Sequence, residues 1–308
     1  MASVLCVGHA VQDFVFGMPQ LPLAARKYRA SSFHATGGGP AATAAVAIAR
    51  LGGRALLAAR LGDDLLAGLI TAELAGYGVD CTHLRRLPGR ASSVSAVIVD
   101  DAGERLVANH VDPGMPAGAE WLPDPAALGV GAVLADTRWP EGALAALAAA
   151  RAAGLPAVLD ADGGLPEDGE LLRVATHVAF SAEGLTELAG LDAVVPALEA
   201  IAPRVPGWCC VTVGGEGVLA LAGGRLRRHP AFEVEVRDTL GAGDVWHGAF
   251  ALALAEGRGE DEAVRFASAA AALKVQRPGG RAGAPLRADV EEFLATHPAV
   301  AATNPGGG

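Results

Sequence analysis

A chain of 308 residues with 51% apolar content can bury a substantial core without a metal or disulfide to staple it. Its formal charge of −10 and pI near 5.3, with no block of clustered arginines, speak against a nucleic-acid partner, because neutralising phosphates needs concentrated Lys and Arg. The amino terminus lacks a basic stretch followed by an apolar one, and no apolar run approaches the ~18–20 residues of a membrane helix, so a cytoplasmic protein with small-molecule ligands is expected.

In chain order, residues 3–8, 93–100, 132–136, 156–160, 177–181 and 208–214 are short β-branched or apolar runs and read as strands. Ala/Leu-rich stretches at 40–51, 65–77, 141–153, 184–190, 244–256, 260–273 and 288–295 read as helices. Strands alternating with helices predict a parallel sheet covered on both faces, with ligands beyond the carboxyl ends of the strands. Two stretches depart from this pattern. Residues 14–35 and 84–112 look like short β pieces joined by Pro and Gly turns, and "VDDAGERLV" carries a hairpin signal. They predict a small β lid over the site. Residues 1–300 read as one domain and 301–308 as a disordered tail. Cys6, Cys81, Cys209 and Cys210 match neither a zinc site nor a redox pair and read as buried, reduced thiols.

Two glycine-rich loops precede helices. "TGGGPAAT" (36–43) is compatible with a phosphate cradle, with another ligand, or with a plain turn. "DTLGAGDVWHG" (238–248) carries more chemistry. Gly241, Ala242 and Gly243 can turn their N–H groups inward, and the helix beginning near Asp244 adds its positive end. A carboxylate beside such an anion hole suits a general base that takes a proton from a hydroxyl while the N–H groups stabilise a phosphoryl group. The same tetrapeptide also serves as an ordinary helix cap, with Asp244 as the cap.

Together "DTLGAGDVWHGAF" and "GGGPAATAAVAIARLGGRALLAARLGDD" resemble the two signatures of the PfkB/ribokinase family of sugar kinases, in the right order and separation. The resemblance covers essentially the whole chain. It implies a ribokinase-like three-layer α/β/α sandwich with a mostly parallel sheet, a β lid often used in dimerisation, and MgATP-dependent transfer of the γ-phosphoryl group to a sugar hydroxyl. Asp244 then matches the catalytic base, and Gly241, Ala242 and Gly243 the anion hole. Asp238 and Thr239 match positions on the nucleotide side that sometimes have a monovalent cation nearby. Thr212, Gly214 and Gly217 in "VTVGGEGVLAL" match the strand and turn beside the ATP ribose and phosphates, although as bare sequence this is a β-turn-β element. Ser268, Ala271 and Ala272 would wall the adenine or simply pack a helix, and Gly280 and Arg281 would approach the phosphates.

The chain departs from the family at Ser181 and Gly184, where an Asn-x-x-Glu motif often stands near magnesium; Glu183 or Glu187 would replace that carboxylate through water. Asp13 matches the residue that holds two sugar hydroxyls, and Gly38 and Gly39 would floor the acceptor. Pro40 and Thr43 fall where relatives carry asparagines, so the acceptor contacts must differ. "GGGPAATAAVA", "VLADTRW", "AFSAEGL" and "RPGGRAG" look most like kinases of the sulfonated ketose 6-deoxy-6-sulfofructose. A sulfonate pocket needs a cation and neutral donors. Lys27, Asn109, His110 and Arg138 are the candidates, with a solvated lid charge, a salt-bridge partner and an exposed turn as the ordinary readings of Lys27, Arg138 and His110. Fructose, 2-keto-3-deoxygluconate or a nucleoside is the alternative acceptor, and a non-catalytic sensor the alternative function. No nucleic-acid or membrane partner is implied, and a homodimer through the lid is.

Overall fold

The computed structural model describes residues 1–166, 169–222 and 224–297. Strand β1 (Ser3–Gly8) leads into β2 (Val11–Met18), β3 (Ser32–Gly38) and helix α1 (Pro40–Arg50). Next come β4 (Arg54–Gly62), α2 (Leu65–Gly76), β5 (Leu84–Leu87), β6 (Ser93–Asp100), β7 (Arg105–His110) and the single turn α3 (Pro125–Leu128). The chain then alternates through β8 (Ala132–Asp136), α4 (Pro140–Ala152), β9 (Ala157–Ala161), α5 (Glu170–Val174), β10 (His177–Ser181), α6 (Ala182–Ala189) and α7 (Val194–Ile201). It ends with β11 (Trp208–Thr212), β12 (Val218–Ala222), β13 (Arg225–His229), α8 (Ala242–Ala255), α9 (Glu260–Val275) and α10 (Arg287–Thr296).

Nine strands form the central sheet in the order β13-β12-β11-β10-β9-β8-β1-β4-β5, parallel except for the antiparallel pairs made by β12. Side chains alternate between two cores. Val4 and Cys6 of β1 join the cluster beneath α1, α8 and α9, whereas Leu5 and Val7 join the cluster beneath α4, α5 and α7. This is the three-layer α/β/α arrangement, and its strands are near-continuous apolar runs because both faces are covered.

Strand β4 is not legible from the local sequence. Its "RALLAARLG" is built from helix formers, yet parallel pairing with β1 and burial on both faces hold it extended. All four cysteines are free thiols; Cys81 is only half-buried, whereas burial pushes the Cys209 thiol up to about 11. Among the described residues, no helix is long and apolar enough to cross a membrane. The tail expected over 301–308 lies outside the described residues.

A second sheet, ordered β3-β2-β6-β7, is made from the two irregular stretches. Its register sorts residues by face. Phe16 pairs with Phe33 and Ile98, and Ile98 with Leu106, which puts four apolar side chains on one face. Asp13 pairs with Thr36 and Ser95, and Ser95 with Asn109, which puts a polar row on the other.

Candidate active site

The polar row of the small sheet is buried at its centre: Thr36, Asp13 and Ser95 are all nearly inaccessible. Asn109 Nδ2 donates to Ser95 Oγ at 3.0 Å. Burial raises the Asp13 carboxyl above its ordinary range, against the hydrogen bond from Ser95 and the positive field of Arg281. The "GGG" loop is shaped by close approach. A Cβ on Gly38 would collide with the Asp13 carboxylate, and one on Gly37 with the Arg281 guanidinium. His110 pairs with Val94, so it stands on the opposite face from Asp13 and Asn109. This placement corrects the expected grouping of His110 with Asn109 at the acceptor, because neighbours along a strand point to opposite sides.

Asp136, which carries no motif of its own, ties these loops together. Its carboxylate accepts from the backbone N–H groups of His9 (2.8 Å), Ala41 (3.0 Å) and Arg138 (2.9 Å), so it fixes the ends of β1 and β8 and the start of α1. An Asp at the end of an apolar strand was the available signal. Arg138 itself is exposed, with its guanidinium 3.4 Å from the Asp162 carbonyl, and Lys27 is exposed in the segment joining β2 to β3.

Helix α8 starts at Ala242, earlier than expected, with Gly241 as its N-cap in the left-handed region (φ 75°) that glycine adopts freely. Asp244 is therefore not the cap. It stands at the third helical position, and no side-chain cap bond is present. A Cβ on Gly241 would meet Thr43 Cγ2 at 3.3 Å, Asp244 Oδ2 at 3.8 Å and the Arg281 N at 3.9 Å. The α8 terminus, Asp244, the first turn of α1 and the Arg281 loop thus converge on one point. Burial, then the negative field of Asp160, pushes the Asp244 carboxyl up to about 7. His247, one turn on, keeps Nδ1 2.8 Å from the Gly243 carbonyl and Nε2 3.3 Å from that of Ala179. The Ala242 N–H of this start already donates to the Thr239 carbonyl at 3.2 Å. A carboxyl poised near neutrality at a helix start can accept a proton next to a bound anion.

Beside this point opens a cavity of about 510 Å³. Thr212, Gly214, Gly217, Thr239, Ser268, Ala271 and Ala272 line it, together with Ala242 and Gly243 of the helix start. Phe232, Val234, Val236 and Trp246 complete its apolar walls. The first three were missed although "FEVEV" alternates with period two, because no partner strand was in view. Ser268 accepts from Trp246 Nε1 at 3.3 Å. Ser181, Asp238, Gly280 and Arg281 do not line this cavity. Ser181 is the N-cap of α6, accepting from the Gly184 N–H at 3.0 Å. Arg281 is fully buried, with Nε 3.0 Å from Glu73 and both terminal nitrogens without a hydrogen-bond partner among the described residues.

Asp238 is a junction. Its carboxylate accepts from the N–H groups of Leu240, Gly279 and Gly280, from the buried Lys274 ammonium and from Arg105 of β7. Burial alone would raise its carboxyl, but these bonds hold it below the usual range. The oxygens at Asp238 do not suit an added monovalent cation, because Lys274 Nζ already occupies them. Glu183 and Glu187 are exposed on α6, and Glu187 Oε2 would lie 3.9 Å from a Cβ on Gly163. Among the described residues, no three His, Cys, Asp or Glu side chains gather as a metal cage.

The sequence profile of the pfkB family carbohydrate kinases matches residues 1–287. Ribokinase of Bacillus subtilis (strain 168) is 29% identical over 301 residues, covering 96% of this chain and 100% of its own. A crystal structure from Agrobacterium tumefaciens, of a protein provisionally named a ribokinase, superposes with a TM-score of 0.91 at 38% identity, over 96% of this chain and 98% of that one. Ribokinase of Arabidopsis thaliana, solved with ribose and ATP, superposes with a TM-score of 0.83 at 26% identity, over 95% and 98%.

Proposed function

The chain belongs to the pfkB family of carbohydrate kinases and is an ATP-dependent sugar kinase, and on that premise we propose that its acceptor is a small anionic ketose, 6-deoxy-6-sulfofructose being converted to its 1-phosphate. The observation that carries the reading is the convergence of Asp244, the Gly241–Gly243 turn and Thr43 at one point, between the 510 Å³ cavity and the polar row of the small sheet.

In this reading Asp13 accepts hydrogen bonds from two sugar hydroxyls, over the backbone of Gly38, Gly39 and Pro40. Asp244 takes the proton of the attacking hydroxyl. The sugar oxygen bonds to the γ-phosphorus, the bond to the bridging oxygen of ADP breaks, and the N–H groups of Gly241 and Gly243 stabilise the charge, joined by that of Ala242 once it leaves the Thr239 carbonyl. Thr212, Gly214, Gly217, Thr239, Ser268, Ala271 and Ala272 hold the nucleotide. Magnesium, when bound with ATP, neutralises the phosphate oxygens. Asp162 and Asp136 add negative field at Asp244, and the ion would be held chiefly by the phosphates, with Glu183 and Glu187 reaching it through water. We read residues 1–300 as one kinase unit whose small sheet excludes water on closing, and the cytoplasm as the compartment that supplies its ATP.

Support for an anionic acceptor comes from two cations around the site, Arg138 beside the Asp136 junction and Arg281 with two unpaired terminal nitrogens, and Lys27 would have to be brought over it by its exposed segment. Asn109, in the Asp13 row, offers a neutral donor. A neutral pentose is the second reading, favoured by the ribokinase relatives. Asp244→Asn tests the core of the proposal: turnover should fall by about 10²–10⁴-fold while ATP binding is retained. Retained turnover would remove Asp244 from the role of base.

A further inference from the structure

Lysine occurs only twice in the chain, and Lys274 is completely buried. It stands in the last turn of α9. Its Nζ donates to the Asp238 carbonyl at 2.9 Å, to Asp238 Oδ2 at 3.1 Å and to the Arg277 carbonyl at 3.2 Å. An ammonium has three N–H donors, so each one meets an oxygen.

Those oxygens come from two loops. Asp238 begins the run that ends in Gly241–Gly243 and the start of α8. Arg277 begins the run that carries Gly280 and Arg281. Asp238 Oδ2 also accepts from the Gly279 and Gly280 N–H groups, each at 3.0 Å, so one knot of charge and amides fixes both loops. Gly241 in turn lies near the Arg281 N. Carboxylate and carbonyl oxygens converging from separate loops are the ligands that hard cations choose. Here the cation is itself fully buried, and a buried charge requires such oxygens around it. The chain supplies that cation covalently.

We propose that Lys274 is a built-in cation: its ammonium fills the place that a potassium or similar ion would take between the Asp238 and Arg277 loops, and the enzyme works without one. Lys274 is a positioning residue, acting through the loop backbone that presents Gly241–Gly243. The activity arm of its test rests on the kinase reading; a thermal arm does not.

Wild-type turnover is measured across a potassium titration, with choline holding ionic strength constant, and should stay flat. Lys274→Ala should lose about 10²-fold in kcat, the scale that a small misplacement costs, and regain activity with potassium, ammonium or methylammonium. Potassium should also raise the Tm of Lys274→Ala, by binding its folded state, and leave the wild-type Tm unmoved. That measurement needs no substrate, so it judges the cage even if no sugar is turned over, which would count against the kinase reading alone. Potassium stimulation of the wild type, or a Lys274→Ala protein whose turnover and Tm both ignore potassium, overturns the proposal. If Lys274→Ala fails to fold, the wild-type titration decides it in the same two directions.

Discussion

The Asp244 carboxyl is pushed up to about 7 because burial and Asp160 both disfavour its charge. A base acts when deprotonated, so kcat/KM should be flat above that pH and fall with unit slope below it. An acidic limb near the ordinary carboxylate value of about 4 would contradict the assignment. Arg138→Ala should raise KM for an anionic sugar about tenfold or more, given the ~1.5–3 kcal/mol of a charged hydrogen bond, and leave a neutral sugar nearly unchanged. Equal effects on both would remove Arg138 from acceptor binding. The sequence exposed Asp13, Gly241 and Asp244 because their motifs are local. Asp136 and Lys274 were invisible because their partners lie far along the chain, at His9 and Ala41 for one and at Asp238 for the other.

At the scale of elements, α8 presents the base and must pack tightly on α1. Gly248 marks the contact: a Cβ there would sit 2.6 Å from the Ala44 carbonyl oxygen and 3.0 Å from Ala44 Cα. Gly248→Leu should destabilise by about 1–3 kcal/mol or more, lowering Tm by several degrees. An unchanged Tm would mean that the helices separate freely. Most elements of the parallel half were legible, because buried strands such as "AVLAD" at β8 are continuous apolar runs bounded by turns. The edges were not. Short β5 and β13 carry paired arginines and little apolar pattern, and only their neighbours in the sheet make them strands.

For the whole molecule, the small sheet leaves an apolar face uncovered. Phe33 is 57% exposed and Leu106 42%, and the Phe33 ring lies 5.1 Å from that of Phe16. We propose this face as the homodimer contact, since a monomer gains nothing from presenting it to water. Sedimentation should give a dimer, and Phe33→Asp a monomer; a wild-type monomer would refute the contact. The two lid segments were legible only as irregular β, because a sheet assembled from 14–35 and 84–112 has long-range pairing that no local pattern encodes. The central claim, an ATP-dependent kinase of an anionic ketose, is tested most directly by ADP release with ribose, fructose, 2-keto-3-deoxygluconate, adenosine and 6-deoxy-6-sulfofructose. The account predicts the highest kcat/KM for the sulfonated ketose; preferential turnover of ribose or another neutral acceptor would contradict it.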